Sequence, residues 1–255
     1  MSFLTKKIID SNPDIFGIDI SDLSIKVMQI KKNRGRDYVK GYASITLPQG
    51  CIENRAIVKK DIVSKAIKKA MKAANIKTTH AICSLPETKA FLRIITLPEM
   101  KSSEIKEAVK WELEMNIPMN IDQVYYDWQF LDSPIIKKKK KVSILTVAVS
   151  RSIVDSWLDV LVEAGLEVHG FDMESISQLR SLLPESVDEG TSMIVDIGDK
   201  LTSFLIAVRG IPVFTSSIPL SSEVMISAVA SGMGVSRKEA EKNGVGNTAY
   251  QRSIE

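Results

Sequence analysis

The residues best equipped for chemistry stand at the ends of apolar runs. In Met193-Ile-Val-Asp-Ile-Gly-Asp-Lys-Leu-Thr-Ser-Phe-Leu-Ile-Ala-Val208, two β-branched stretches flank a polar turn holding Asp196, Gly198 and Thr202. A second turn, Arg209-Gly210, leads into a third strand ending at Ile218. A carboxylate at such a strand end can face a hydrated Mg²⁺, and a glycine lets the N–H groups of the turn come close to a phosphate. A hairpin that binds nothing can carry the same residues. What adds weight is a second copy: Ile15-Phe-Gly-Ile-Asp-Ile-Ser21 puts Asp19 near a strand end, and Ser24-Ile-Lys-Val-Met-Gln-Ile30 returns with polar and apolar residues alternating. Two acid-tipped hairpins far apart in one chain predict two lobes that close on a nucleotide.

Other chemistries find little support. The chain has two cysteines, Cys51 and Cys83, and two histidines, His80 and His169, none at metal-ligand spacing. A zinc site is therefore not expected. A net charge of +3 is too small to argue for nucleic acid, and none is expected as a partner. No apolar run approaches the roughly 18 residues of a membrane span, and the first ten residues lack the apolar core of a signal peptide. These features predict a cytoplasmic protein in a reducing compartment. Phe3, Leu4, Ile8 and Ile9 beside Lys6 and Lys7 are expected to be a loosely packed terminus.

The elements that must carry the two hairpins follow from periodicity. Residues 37–47 alternate as a third strand, stopped by Pro48. From Ile57 to Ala74 the apolar set Ile62, Val63, Ala66, Ile67, Ala70 and Met71 recurs at helical spacing, with six lysines expected to face water. His80 to Leu85 is a further strand. Residues 90–167 then read as strand (91–97), helix (104–115), strand (124–131), strand (142–149) and helix, the last opened by a capping box of Ser152 and Asp155. The five lysines at 137–141 are expected to form a solvated hairpin tip, with an anionic lipid surface as the alternative. A strand at 168–173, a helix at 174–183 and two C-terminal helices, the second capped by Ser236 and Glu239, complete the pattern. The fold class is α/β.

Gly17-Ile-Asp-Ile-Ser-Asp-Leu-Ser-Ile-Lys26 resembles the first phosphate loop of actin-like ATPases of the FtsA and PilM type, with Ser21 where that pattern has glycine. Val195-Asp-Ile-Gly-Asp-Lys-Leu-Thr202 resembles their second phosphate loop. The helix Glu104 to Met115, the Ile117-Pro118 that follows and the acidic strand start at Asp122 resemble PilM, the type IV pilus assembly family, more than FtsA. The resemblance implies an actin-like, ribonuclease-H-like ATPase fold. Its first lobe would span 13–89 plus 168–188, an inserted α/β subdomain 90–167, and a partial second lobe 189–255.

It also implies ATP and Mg²⁺ between the lobes, held by Gly17, Asp19, Ser24, Lys26, Asp196, Gly198 and Thr202, with Asp19 and Asp196 at the metal. Asp172 and Glu174 would orient the attacking water, in an ATPase that is at most slow. The implied partner is the N-terminal cytoplasmic peptide of an inner-membrane PilN-like protein, which would keep the protein peripheral to that membrane. Other pilus assembly proteins and further copies of the chain are additional expected partners. The chain is expected to be a fragment, because the family continues into a Gly-Gly adenosine loop. An FtsA-like filament adaptor is the alternative reading, and a sugar or acetate kinase a more distant one.

Overall fold

A computed structural model describes residues 14–53, 55–86, 90–131, 141–183, 190–198 and 200–241. The alternation near the N-terminus folds as an antiparallel meander of β1 (Phe16–Ile20), β2 (Ser24–Asn33) and β3 (Arg36–Thr46). A small hairpin follows, β4 (Ile52–Glu53) and β5 (Ala56–Ile57), with Arg55 at a positive φ of 64°. It occupies the start of the segment expected to be helical, so α1 runs only over Lys60–Ala73. Strands of two residues leave no periodicity to read.

Beyond it come β6 (His80–Leu85), β7 (Ala90–Pro98), α2 (Ser102–Asn116), a 3-10 turn at Ile121–Gln123, β8 (Val124–Leu131) and β9 (Lys141–Ser150). Then follow α3 (Arg151–Glu163), β10 (Glu167–Met173), α4 (Glu174–Leu182), β11 (Thr191–Ile197), β12 (Thr202–Val208), β13 (Ile211–Ile218), α5 (Ser222–Met233) and α6 (Arg237–Ala240).

Three sheets carry the architecture. The first has the order β10-β6-β1-β2-β3, with β6 parallel to both β1 and β10. The second is β7-β9-β8 and the third β11-β12-β13, both antiparallel throughout. Residues Val63, Ile67 and Ala70 of α1 are buried against the first sheet, and its five lysines are exposed, as is Lys59 at its N-cap. The approach is close at Gly41 of β3, where a Cβ would lie 2.2 Å from the Ala74 carbonyl oxygen. Only glycine leaves room for the end of α1 there.

The strand β9 is buried from Ser143 to Val149 because it belongs to two cores. Leu145, Val147 and Val149 join the core of the first sheet, while Ile144 and Ala148 join the one under α2, with Ile105, Val109 and Leu113. A continuous apolar run is what a strand covered on both faces requires. The first core also takes Val154, Trp157, Val160 and Leu161 of α3, so that helix and one face of β9 pack with α1 rather than apart from it. Trp157 is fully buried and its indole N–H donates to the Arg55 carbonyl at 3.3 Å. The α3 start differs from expectation. Ser150 is the N-cap, its hydroxyl bonds that of Ser152, and the Asp155 carboxylate accepts from the Tyr125 hydroxyl instead of closing a capping box. By contrast, Ser236 and Glu239 cap α6 reciprocally, as expected. Lys137 to Lys140 and the residues before Asp14 lie outside the described residues.

Candidate functional site

Strand register assembles the first half of the site. Lys26 of β2 lies opposite Asp19 of β1, and the Ser84 hydroxyl at the end of β6 donates to Asp19 Oδ1 at 2.5 Å. Ser84 is in turn paired with Asp172 of β10. One polar row, Lys26, Asp19, Ser84 and Asp172, thus crosses four strands near the carboxyl ends of the parallel pair, the end at which open α/β sheets bind ligands. Gly17 is exposed two residues before Asp19, and a Cβ there would make only an ordinary 3.8 Å contact with the Met28 carbonyl.

The first turn is closed by side chains that glycine would not supply. Ser21 N–H donates to the Ser24 carbonyl at 2.8 Å, and the Ser21 and Ser24 hydroxyls lie 2.9 Å apart. Ser21 is not among the residues with positive φ, which are Arg34, Arg55, Asn75 and Arg209. Its Cβ therefore costs the turn no backbone strain. Beside it, Asp22 Oδ1 is buried without a hydrogen-bond partner.

The second turn is tighter. Gly198 N–H donates to the Leu201 carbonyl at 2.9 Å, and a Cβ on Gly198 would stand 2.9 Å from that same oxygen. The Gly198 carbonyl accepts from both the N–H and the hydroxyl of Ser222, at 3.0 and 3.2 Å, which fixes the turn to the start of α5. Thr202 is buried, and its hydroxyl donates to the Leu220 carbonyl at 2.6 Å. Lys200 pairs with Glu223 at 2.8 Å, and this hydrogen bond, with a smaller contribution from the Asp22 charge, raises the lysine above its ordinary value.

Helix α4 joins the halves. At its N-terminus Glu174 approaches Arg55 at 3.6 Å, and one turn on, Gln178 donates to Asp196 Oδ2 at 2.7 Å. Cys83 reports the same proximity from below: burial first, then the charges of Asp19 and Glu174, push its thiol well above the ordinary range. A shallow, water-sized hollow lies between α4 and β12, lined by Glu174, Ser175, Gln178, Ser203, Phe204 and Leu205. It is far smaller than the roughly 300–1,000 Å³ of most small-molecule pockets.

Asp172 has a full set of partners. Its Oδ1 accepts the Met173 N–H at 3.0 Å, its Oδ2 accepts the Ser177 hydroxyl at 2.9 Å and is ion-paired with Arg180. Burial draws the Arg180 guanidinium below its ordinary value. These contacts tie β10 to α4. Sequence reasoning missed Ser84, Gln178, Arg55 and Ser222. Ser84 had a signal in its place near the end of an apolar strand. It also misjudged the histidines. His80 Nδ1 and His169 Nε2 are 2.9 Å apart, with Glu167 beside both.

A family model and three solved structures show what the chain is similar to. The family described as "Type IV pilus assembly protein PilM" matches residues 17–249. A solved structure, the "PilM-PilN type IV pilus biogenesis complex", aligns at a TM-score of 0.76 and 24% identity, covering 90% of this chain and 68% of that one. The ethanolamine utilization protein EutJ from Carboxydothermus hydrogenoformans aligns at 0.52 and 13%, covering 89% and 59%. The cytoplasmic domain of EpsL, an inner-membrane component of the Vibrio cholerae type II secretion system, aligns at 0.51 and 13%, covering 87% and 77%. At these identities the structures speak for the fold, which is actin-like.

Proposed function

The chain belongs to the type IV pilus assembly protein PilM family, and we infer that its task in pilus assembly is to hold a short N-terminal cytoplasmic peptide of an inner-membrane PilN-like protein. The observation that carries this reading is the family match over most of the chain. The fold supplies a suitable surface. Strand β8 is an edge of its sheet and lies beside α3, where Tyr125 bonds Asp155 and Arg151 stacks 4.2 Å from the Tyr125 ring. Trp128 and Phe130 on the same strand form an edge-to-face pair at 5.2 Å, with Phe130 exposed. An extended peptide added to this edge would gain main-chain hydrogen bonds, and its apolar side chains would meet those rings. Held in this way, the protein would sit under the inner membrane through its partner. No helix among the described residues is long and apolar enough to cross a membrane.

The two turns fit the phosphate and metal end of ATP with Mg²⁺. Asp19 and Asp196 would supply carboxylates, Lys26 a cation, and the Ser24 to Lys26 and Gly198 to Thr202 segments the cradle. The orphaned Asp22 oxygen favours a cation or hydrogen-bond donor at the first turn. The nucleotide would supply charge that bridges the lobes. Glu174, at the mouth of the hollow, is the carboxylate best placed to orient a water, whereas Asp172 serves α4. Turnover would be slow and regulatory, and the division into two lobes with an inserted unit would let the nucleotide set the groove for the peptide.

The test is fluorescence anisotropy with a labelled peptide from the cytoplasmic N-terminus of a PilN-like protein of the same organism. Trp128→Glu with Phe130→Glu should weaken binding at least tenfold while circular dichroism stays unchanged. Trp111→Glu, on the exposed outer face of α2, should leave it unaltered. The reverse pattern would move the peptide to α2, and no binding by the unmodified chain would end the reading.

A further inference from the structure

Both histidines of this chain stand side by side, although 89 residues separate them in sequence. Their rings meet edge to face at 4.8 Å between centroids. Two strands of the first sheet produce the arrangement. Glu167 lies directly opposite His80 in the parallel β10–β6 pair, and the register shifts between Val168 and Gly170, which makes His169 the extra residue of a β-bulge. A bulge of this kind frees one residue from the ladder and re-aims its side chain. His169, two residues beyond Glu167, stands beside its carboxylate, with Nε2 at 3.6 Å from Glu167 Oε1.

We propose that His80, His169 and Glu167 form a binding site for a divalent transition metal ion, with Zn²⁺ the preferred occupant and water as the fourth ligand. The geometry matches the ion. Tetrahedral Zn²⁺ with bonds of about 2.0–2.1 Å holds neighbouring ligand atoms about 3.3 Å apart. The three side chains converge to that scale: His80 Nδ1 and His169 Nε2 are 2.9 Å apart, and the Glu167 carboxylate turns Oε2 to within 3.4 Å of His80 Nδ1 and Oε1 to within 3.6 Å of His169 Nε2, with one ligand atom from each residue lying within 4.8 Å of the others. The ligand types also fit, because two neutral imidazoles and one carboxylate suit zinc, nickel and copper better than magnesium or calcium. All three side chains reach solvent, with exposures of 33%, 32% and 66%, so an ion can enter without opening the fold. No ion is needed to hold the strands, since Glu167 N–H already donates to the Thr79 carbonyl at 2.9 Å.

The site is separate from the phosphate turns. His80 begins β6 and Ser84 comes four residues later, which at about 3.3 Å per residue places the two sites about 13 Å apart along the strand. The position points to a clamp. β10 is an edge strand and receives the chain as it returns from α3, so an ion bound here would tie that return to β6. The inference draws on nothing in the pilus reading and would survive its failure.

The protein, prepared without a polyhistidine tag and stripped with a chelator, would be titrated with ZnCl₂ while long-range ¹H–¹⁵N spectra follow the imidazoles. Only two ring systems exist to be observed. Both should shift together and stop shifting at one equivalent, and calorimetry should give a single site. His80→Gln and His169→Gln should each weaken binding at least tenfold and Glu167→Gln several-fold. A Cys51→Ser, Cys83→Ser double variant should bind as the unmodified chain does. If both rings stay unmoved at two equivalents, or if the double histidine variant binds zinc with unchanged affinity, the site does not exist. The spectra of the unmodified chain decide the matter even if a variant misfolds.

Discussion

Replacing Asp172 separates a structural from a catalytic role for the acid that precedes α4. Its carboxylate is nearly fully buried and serves three donors: the Met173 N–H, the Ser177 hydroxyl and the Arg180 guanidinium. In Asp172→Ala the lost hydrogen bond at the helix start costs about 1 kcal/mol, and the stranded Ser177 hydroxyl about another. The broken ion pair adds less than the roughly 3–5 kcal/mol typical of a fully buried pair, because Arg180 is 48% exposed and can rehydrate. About 1–2 kcal/mol is a reasonable share, which brings the total to about 3–4 kcal/mol. At about 2–4 °C per kcal/mol for a chain of this size, the melting midpoint should fall by about 6–16 °C. Thermal unfolding followed by circular dichroism would measure the midpoint, and urea unfolding the free-energy loss. Asp172→Asn keeps an acceptor for the Met173 N–H and should lose only about half as much. A midpoint for Asp172→Ala within about 1 kcal/mol of the parent, together with loss of any ATP turnover, would refute the structural assignment and return Asp172 to the chemistry.

Other outcomes follow from single contacts. Gly41→Ala would drive a Cβ to 2.2 Å from the Ala74 carbonyl oxygen, and should cost about 3 kcal/mol or more or prevent soluble expression, as a melt or solubility assay would show. Gly198→Ala meets the Leu201 carbonyl at 2.9 Å; the turn must open, with a loss of about 1–3 kcal/mol and weaker nucleotide binding by calorimetry. The Glu223 carboxyl is held below its ordinary value of 4.5, chiefly by the Lys200 hydrogen bond and then by Arg237. Its stabilisation is therefore present above that pH and lost as the pH falls through the lowered folded value. Glu223→Gln should cost about 0.5–1 kcal/mol near neutral pH, and less in about 1 M salt or in acid, as unfolding curves across pH would show.

Much of this architecture was legible because local pattern and tertiary role coincide. His80–Leu85 and Val124–Leu131 form strands with the bounds that alternation and turn residues gave them, and the two acid-tipped hairpins are both present. The family resemblance rested on those hairpins and on the helix before Pro118. What stayed hidden depends on partners distant in sequence. Asp172 and Glu174 are both acids at a helix start, yet one is claimed by Arg180 and the other faces Arg55 and the hollow. No spacing rule distinguishes them. The α3 start was misread because β9 runs straight into the helix, and Tyr125 from another strand takes the carboxylate that seemed destined for a cap. The histidines were dismissed for being far apart, a criterion that parallel pairing of β6 and β10 makes void. Ser21, which looked like a defect in a glycine position, supplies a hydroxyl that the turn uses.

The inertness of Cys83 has a practical side. Both thiols of the chain are buried, and that of Cys83 is held protonated by its surroundings, so neither should react with maleimides under native conditions. A single cysteine introduced on the exposed side of α5 and another on α1 would then be the sole points of attachment for a dye pair. Distance changes between the sheets on adding nucleotide could be followed in the otherwise unaltered protein, with no background labelling to subtract.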